Sequence, residues 1–131
     1  MHGLATIPNS LGPKETVDRL EAEIRARGLT IFARIDHAAG AAEVGLKLRP
    51  TQLIVFGNAR GGTPLMQSVQ TIGIDLPLKI LVWQDAGGKT WISCNEPRWI
   101  VQRHDIADAE AIVTKMADQL SAISNAAAVL K

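Results

Sequence analysis

Two apolar runs, Leu78 to Asp85 and Lys89 to Asn95, are separated only by Ala86-Gly87-Gly88. Three residues are far too few for a crossover between parallel strands, so these runs must fold back on each other as an antiparallel hairpin. A three-residue loop pairs Asp85 with Lys89, opposite charges across the ladder, and places a glycine at the left-handed position. The same register sets Trp83 opposite Trp91 on one face and Val82 opposite Ile92 on the other. Both faces are then apolar. One packs on helices, and the other requires cover from another segment or a second subunit, which makes a homodimer the expected assembly.

The remaining elements follow from periodicity. Gly3 to Pro8 reads as a first strand. Gly12-Pro13 opens a helix, because proline's missing N–H costs nothing in a first turn. Val17, Leu20 and Ile24 share its apolar face, Glu21 and Arg25 pair outside, and Gly28 ends it. Leu29 to Asp36 alternates as a strand, with Leu29, Ile31, Ala33 and Ile35 on one side. Asp36 caps a short alanine-rich helix from His37 to about Val44. Gln52 to Phe56 is apolar on both faces and is expected to be central. Gly57 to Gly62 reads as a loop, and Thr63-Pro64 as cap and first position of another short helix. Pro97 starts a further one. Asp105 or Asp108 is expected to cap a long final helix whose stripe is Ile112, Met116, Leu120 and Ile123. The order predicts an α+β fold: a mostly antiparallel five-stranded sheet with two long helices packed on it, plus short extra helices, in one domain over residues 1–131.

Composition narrows the function classes. Fourteen basic and 13 acidic residues leave a formal charge of +1, so no basic field is available for nucleic acid or an anionic membrane. No apolar run approaches the roughly 20 residues of a membrane helix. Pro8, Asn9, Lys14, Glu15, Asp18 and Arg19 interrupt any leader-like apolar stretch near the start. Cys94 is the only cysteine, which excludes an internal disulfide and suits the cytoplasm.

Chemistry has few candidate locations. Phe56-Gly57-Asn58-Ala59-Arg60-Gly61-Gly62-Thr63-Pro64 joins a buried strand to a helix start through glycines, where backbone N–H groups and Arg60 favour a small anion. Alternatively, these glycines serve only a sharp turn. Gly57 and Gly62 have P-loop spacing, but Thr63 stands where lysine is required and Pro64 where Ser or Thr is required, which excludes a nucleotide-hydrolysing site. Asp36-His37 is the second location, a capping carboxylate followed by an imidazole at the positive end of a helix. His37 there is either a half-buried packing residue, a ligand contact or the proton shuttle of an enzyme. Lys79, beside Pro77, adds a cation to a polar rim. His2, His37, Cys94 and His104 have no metal-ligand spacing, and no nucleophile elbow exists. No cofactor and no catalytic residue is assigned. The leading expectation is a binding module that holds a small anion between Asp36-His37 and the segment Asn58, Arg60, Gly61, Gly62 and Thr63, with Lys79 at its edge.

Several of these segments recur as a set. Ile35-Asp36-His37 with Ala41, Leu48-Arg49-Pro50-Thr51-Gln52-Leu53, Phe56-Gly57-Asn58 and Gly62-Thr63-Pro64-Leu65-Met66 are followed by Asp75-Leu76-Pro77-Leu78-Lys79, Val82-Trp83, Pro97 and Arg103-His104. In these residues the chain resembles the family catalogued as domain of unknown function 302. The resemblance implies a β-α-β4-α arrangement of the TATA-binding-protein-like type and no established activity. Ala59 and Cys94 depart from it, where proline and tyrosine are frequent.

Overall fold

Proline at position 13 sets the first helical φ, and Gly28, at φ +73°, reverses the chain fifteen residues after that helix starts. Between them runs α1 (Pro13–Ala26), with Val17, Leu20 and Ile24 wholly buried. The structure, a computed structural model, describes residues 2–129. Its strands are β1 (Leu4–Asn9), β2 (Thr30–Asp36), β3 (Thr51–Gly57), β4 (Leu78–Gln84) and β5 (Thr90–Asn95). They form one five-stranded sheet in the order β1-β5-β4-β3-β2, and every neighbouring pair is antiparallel. The remaining helices are α2 (His37–Glu43), α3 (Ala59–Ser68), α4 (Pro97–Arg103) and α5 (Glu110–Ala127), with a 3-10 turn over Gln70–Ile74.

The hairpin register is the expected one, with Trp83 opposite Trp91, Val82 opposite Ile92 and Gly88 at φ +84°. Asp85 and Lys89 do not form the expected ion pair. One Asp85 oxygen accepts the backbone N–H groups of Gly87 (3.0 Å) and Lys89 (2.9 Å), and the other accepts the Trp91 indole N–H at 2.9 Å. The Lys89 ammonium lies 4.7 Å from the Trp91 ring centre. A turn leaves backbone donors unsatisfied, and a short carboxylate at its first position reaches them more easily than a long lysine reaches the carboxylate.

Ile54, Phe56, Ile80, Val82 and Ile92 project from one face into the core against α1 and α5. The other face carries Leu53, Val55, Leu81, Trp83 and Trp91, each half-buried. There the Trp83 and Trp91 rings stack with centres 6.0 Å apart, and the Trp83 indole donates to Ser93 Oγ, which also bonds Thr6 Oγ1.

Three boundaries differ from expectation. The β2 ladder slips between Ile31 and Ala33, so the simple alternation ends there: Phe32 is exposed, and Arg34 lies on the helix side, bonding Asp18 and Gln52. Neither Asp105 nor Asp108 caps α5, whose preceding residue is Ala109; both aspartates instead take left-handed backbone, at φ +52° and +56°. Finally, α3 begins four residues before Thr63. Asn58 is its cap, and Pro64 lies inside the helix.

The end of β1 and the segment after α5 meet at a buried amide. Asn9, 3% exposed, donates to Thr16 Oγ1 at 2.7 Å and accepts from Val129 N at 2.7 Å and Leu11 N at 3.3 Å. This single side chain fastens β1 to α1 and to the segment after α5.

Candidate functional site

The early start of α3 changes the glycine segment from loop to helix. Asn58 Oδ1 accepts the Gly61 N–H at 2.7 Å, so one of the backbone donors expected to face an anion is already used. Gly61 and Gly62 contribute something else: without side chains they leave room beside the helix, and a Cβ on Gly62 would touch Leu76 and Met66.

That room belongs to a cavity of about 290 Å³ at the end of β3. Asn58, Arg60, Gly61 and Gly62 line one side, Leu76, Pro77 and Leu78 the back, and Ile112, Lys115, Met116 and Gln119 of α5 the other side. Two cations and two amides face it, and among the described residues no carboxylate lines it. Neither Arg60 nor Lys115 lies within ion-pair distance of an acidic group among the described residues.

The back wall is held from two directions. Lys79 Nζ donates to the carbonyls of Asp75 (3.0 Å) and Pro77 (3.1 Å). Burial pushes the Lys79 ammonium below its ordinary pKa, and the Asp75 charge partly opposes this. On the other side, His104 Nε2 lies 2.6 Å from Asp75 Oδ2, and Thr71 Oγ1 is 2.9 Å from His104 Nδ1. Arg103 donates to both Asp75 oxygens, at 2.9 and 3.0 Å. Because a carboxylate only accepts, Nε2 carries the proton in its contact with Asp75. This network joins the 3-10 turn to the end of α4 and so positions Leu76 and Pro77.

The candidate residues therefore separate into groups. Asn58, Arg60, Gly61 and Gly62 share the cavity, whereas Thr63 is an exposed residue of α3 outside its lining. Lys79 braces the wall and does not face the space. Asp36 and His37 are not part of this site. Asp36 pairs with Gln52 at the start of β3, six residues before Asn58, a separation of about 20 Å along an extended strand. A single small ligand between the two segments is ruled out by this geometry. Asp36 accepts the Ala39 N–H at 2.9 Å and caps α2 as expected; His37 is exposed, with no hydrogen bond among the described residues. Nothing orients its imidazole as a base requires.

Lys115, Gln119, Asp75 and His104 were not assigned to a site from the sequence. Ile112 and Met116 mark the inward stripe of α5 and put Lys115 at its margin, but periodicity cannot say which loop it faces. Among the described residues, no three His, Cys, Asp or Glu side chains gather as a metal site.

Comparison with known proteins places this architecture. The profile of the family described as "Domain of unknown function DUF302" matches residues 5–127. The chain belongs to the DUF302 family. A crystal structure of an uncharacterised DUF302 protein from Bacillus stearothermophilus superimposes with a TM-score of 0.86, covering 97% of this chain and 99% of that one at 22% identity, which establishes the shared fold. Two curated relatives are named fluoride-specific ion channel FluC 1, from Brucella suis biovar 1 and Brucella abortus biovar 1. Each is 44% identical over 113 residues, or 86% of this chain. The chain spans only 44% and 42% of their respective lengths. Among the described residues, no helix is long and apolar enough to cross a membrane.

Proposed function

We propose that this DUF302 chain is a binding module for a small organic anion, held in the cavity between Arg60 of α3 and Lys115 of α5. The observation that carries this reading is the charge of the cavity: among the described residues, two cations have no acidic partner and no carboxylate joins the lining. Asn58 and Gln119 supply polar groups for a carboxylate or phosphate, while Leu76, Ile112 and Met116 supply an apolar surface for a carbon skeleton. A volume of about 290 Å³ is near the lower end for small-molecule sites, roughly 300–1,000 Å³.

Isothermal titration with butyl phosphate, butyrate, inorganic phosphate and fluoride tests this reading, using the wild type, Arg60→Gln and Lys115→Gln. A charge-assisted hydrogen bond is worth about 1.5–3 kcal/mol, so each variant is expected to weaken butyl phosphate binding by about ten- to a hundredfold. Added salt weakens it further. Fluoride is included because the Brucella relatives carry that ion in their name; a cavity much larger than one ion is expected to hold it least well. Tighter binding of fluoride than of butyl phosphate, or affinities untouched by both substitutions, defeats the organic-anion reading.

A second reading is supported by the sheet face that no helix covers. Leu53, Val55, Leu81, Trp83 and Trp91 form a half-buried apolar surface. A second copy of the chain would cover this face as a homodimer. Sedimentation at micromolar concentration tests it, and a strict monomer refutes it.

A further inference from the structure

A hydroxyl, an imidazole and a carboxylate stand in a row where the 3-10 turn meets the end of α4. None of the three lines the Arg60–Lys115 cavity. Thr71 Oγ1 is 2.9 Å from His104 Nδ1, and His104 Nε2 is 2.6 Å from Asp75 Oδ2. The imidazole is 9% exposed and the carboxylate 14%, and Arg103 grips both carboxylate oxygens in turn. The ring is therefore held in one orientation, while Thr71, at the outer end of the row, is exposed. A hydroxyl within reach of a base, with that base oriented by a third group, is the arrangement that activates a nucleophile. A neutral ring with its proton on Nε2 keeps a lone pair on Nδ1, the atom that faces Thr71. Among the described residues, His37 has neither of these two partners, and His104 has both. Gly73 and Ile74, the next exposed residues after Thr71, leave an open and partly apolar surface, with Ile74 74% exposed.

We propose that Thr71 is a nucleophile toward small uncharged esters, with His104 as its base and Asp75 as the residue that positions the ring. The Thr71 hydroxyl proton passes to His104 Nδ1 as Oγ1 bonds to the acyl carbon. The leaving alkoxide takes that proton as its C–O bond breaks. Water then attacks the acyl-threonine and gives a proton to Nδ1; the carboxylic acid departs, and the proton returns to Thr71 Oγ1. Arg103 spends only Nη1 on Asp75. Its Nε and Nη2 remain, among the described residues, donors without a partner for negative charge developing beside the ring. The site is separate from the Arg60–Lys115 cavity and does not rest on that reading.

Hydrolysis of p-nitrophenyl acetate by the full chain, with mass spectrometry of acid-quenched protein, tests the assignment. The wild type is expected to release nitrophenolate in a burst and to carry an acetyl group on Thr71. Thr71→Ser keeps the hydroxyl and is acetylated at the same position. Thr71→Val has nearly the same shape without the hydroxyl; it loses the burst, and it melts with the wild type because the site is exposed. In His104→Gln, Thr71 is acetylated about a hundredfold more slowly, the lower end of what a positioned base contributes. Asp75→Ala frees the ring, so the His104 15N resonances change from the Nε2–H form to a mixture of tautomers while acetylation slows. Acetylation confined to Cys94 or to lysines, a wild-type burst in Thr71→Val, or undiminished acetylation of Thr71 in His104→Gln overturns the proposal.

Discussion

Replacing Asn9 by alanine tests the central buried polar contact of the fold. Asn9 makes two bonds of 2.7 Å, to Thr16 Oγ1 and Val129 N, and it is 3% exposed. Thr16 is fully buried and its hydroxyl already donates to the Gly12 carbonyl at 2.8 Å, so its oxygen loses its only donor. Two lost bonds at about 0.5–1.5 kcal/mol each, together with the space left behind, predict a loss of about 2–3 kcal/mol. For a chain of this size that corresponds to a melting temperature lower by roughly 10 °C. Urea unfolding followed by tryptophan fluorescence measures it. A double-mutant cycle with Thr16→Ala is expected to give a coupling of about 1 kcal/mol. Asn9→Asp is the sharper variant: nearly isosteric, it turns a carboxylate toward the Thr16 and Ala127 oxygens. Its folded-state pKa is therefore raised, so the variant is least stable at neutral pH and recovers as pH falls through that raised value. A loss under about 0.5 kcal/mol for Asn9→Ala, or additive effects in the cycle, refutes the reasoning.

Gly3→Ala is expected to cost about 2–4 kcal/mol, since the new Cβ would lie 2.5–2.8 Å from Trp99 ring atoms at a backbone φ of +76°. Gly40→Ala, in the open on α2, is expected instead to gain about 0.5–1 kcal/mol; thermal melts of the two variants compare them directly. The Trp91 indole N–H, followed by the Lys89 backbone N–H, holds the Asp85 carboxyl below the usual carboxylate range. A lowered acid stabilises the folded hairpin above its unfolded pKa, and that contribution disappears as pH falls through the folded value. The Trp91 indole proton resonance is expected to titrate with a midpoint below about 3.9, and a midpoint at or above that value contradicts the contact.

The hairpin illustrates what was legible and what was not. Loop length alone sets which backbones pair, so Trp83 against Trp91 followed directly from three intervening residues. Which partner Asp85 takes is a competition between a lysine ammonium and nearby N–H groups, and only the folded turn geometry settles it. The glycine segment reads as a loop in the sequence and is a helix in the fold. Glycine and proline lower helix propensity, but one Asn58 cap and the packing of Leu65 outweigh them.

The sequence by itself determined the five strands, the inward faces of α1 and α5, the antiparallel pairing and the family, because side-chain period and loop length act locally. Tertiary structure alone decided that Asp36 and Asn58 stand at opposite ends of β3, that Lys115 faces Arg60, and that Asp75 meets His104 across 29 residues of chain. The reason is physical: periodicity says which side of an element a residue occupies, but not where along the neighbouring element it arrives. That second coordinate comes from ladder register and helix packing, and binding sites depend on it.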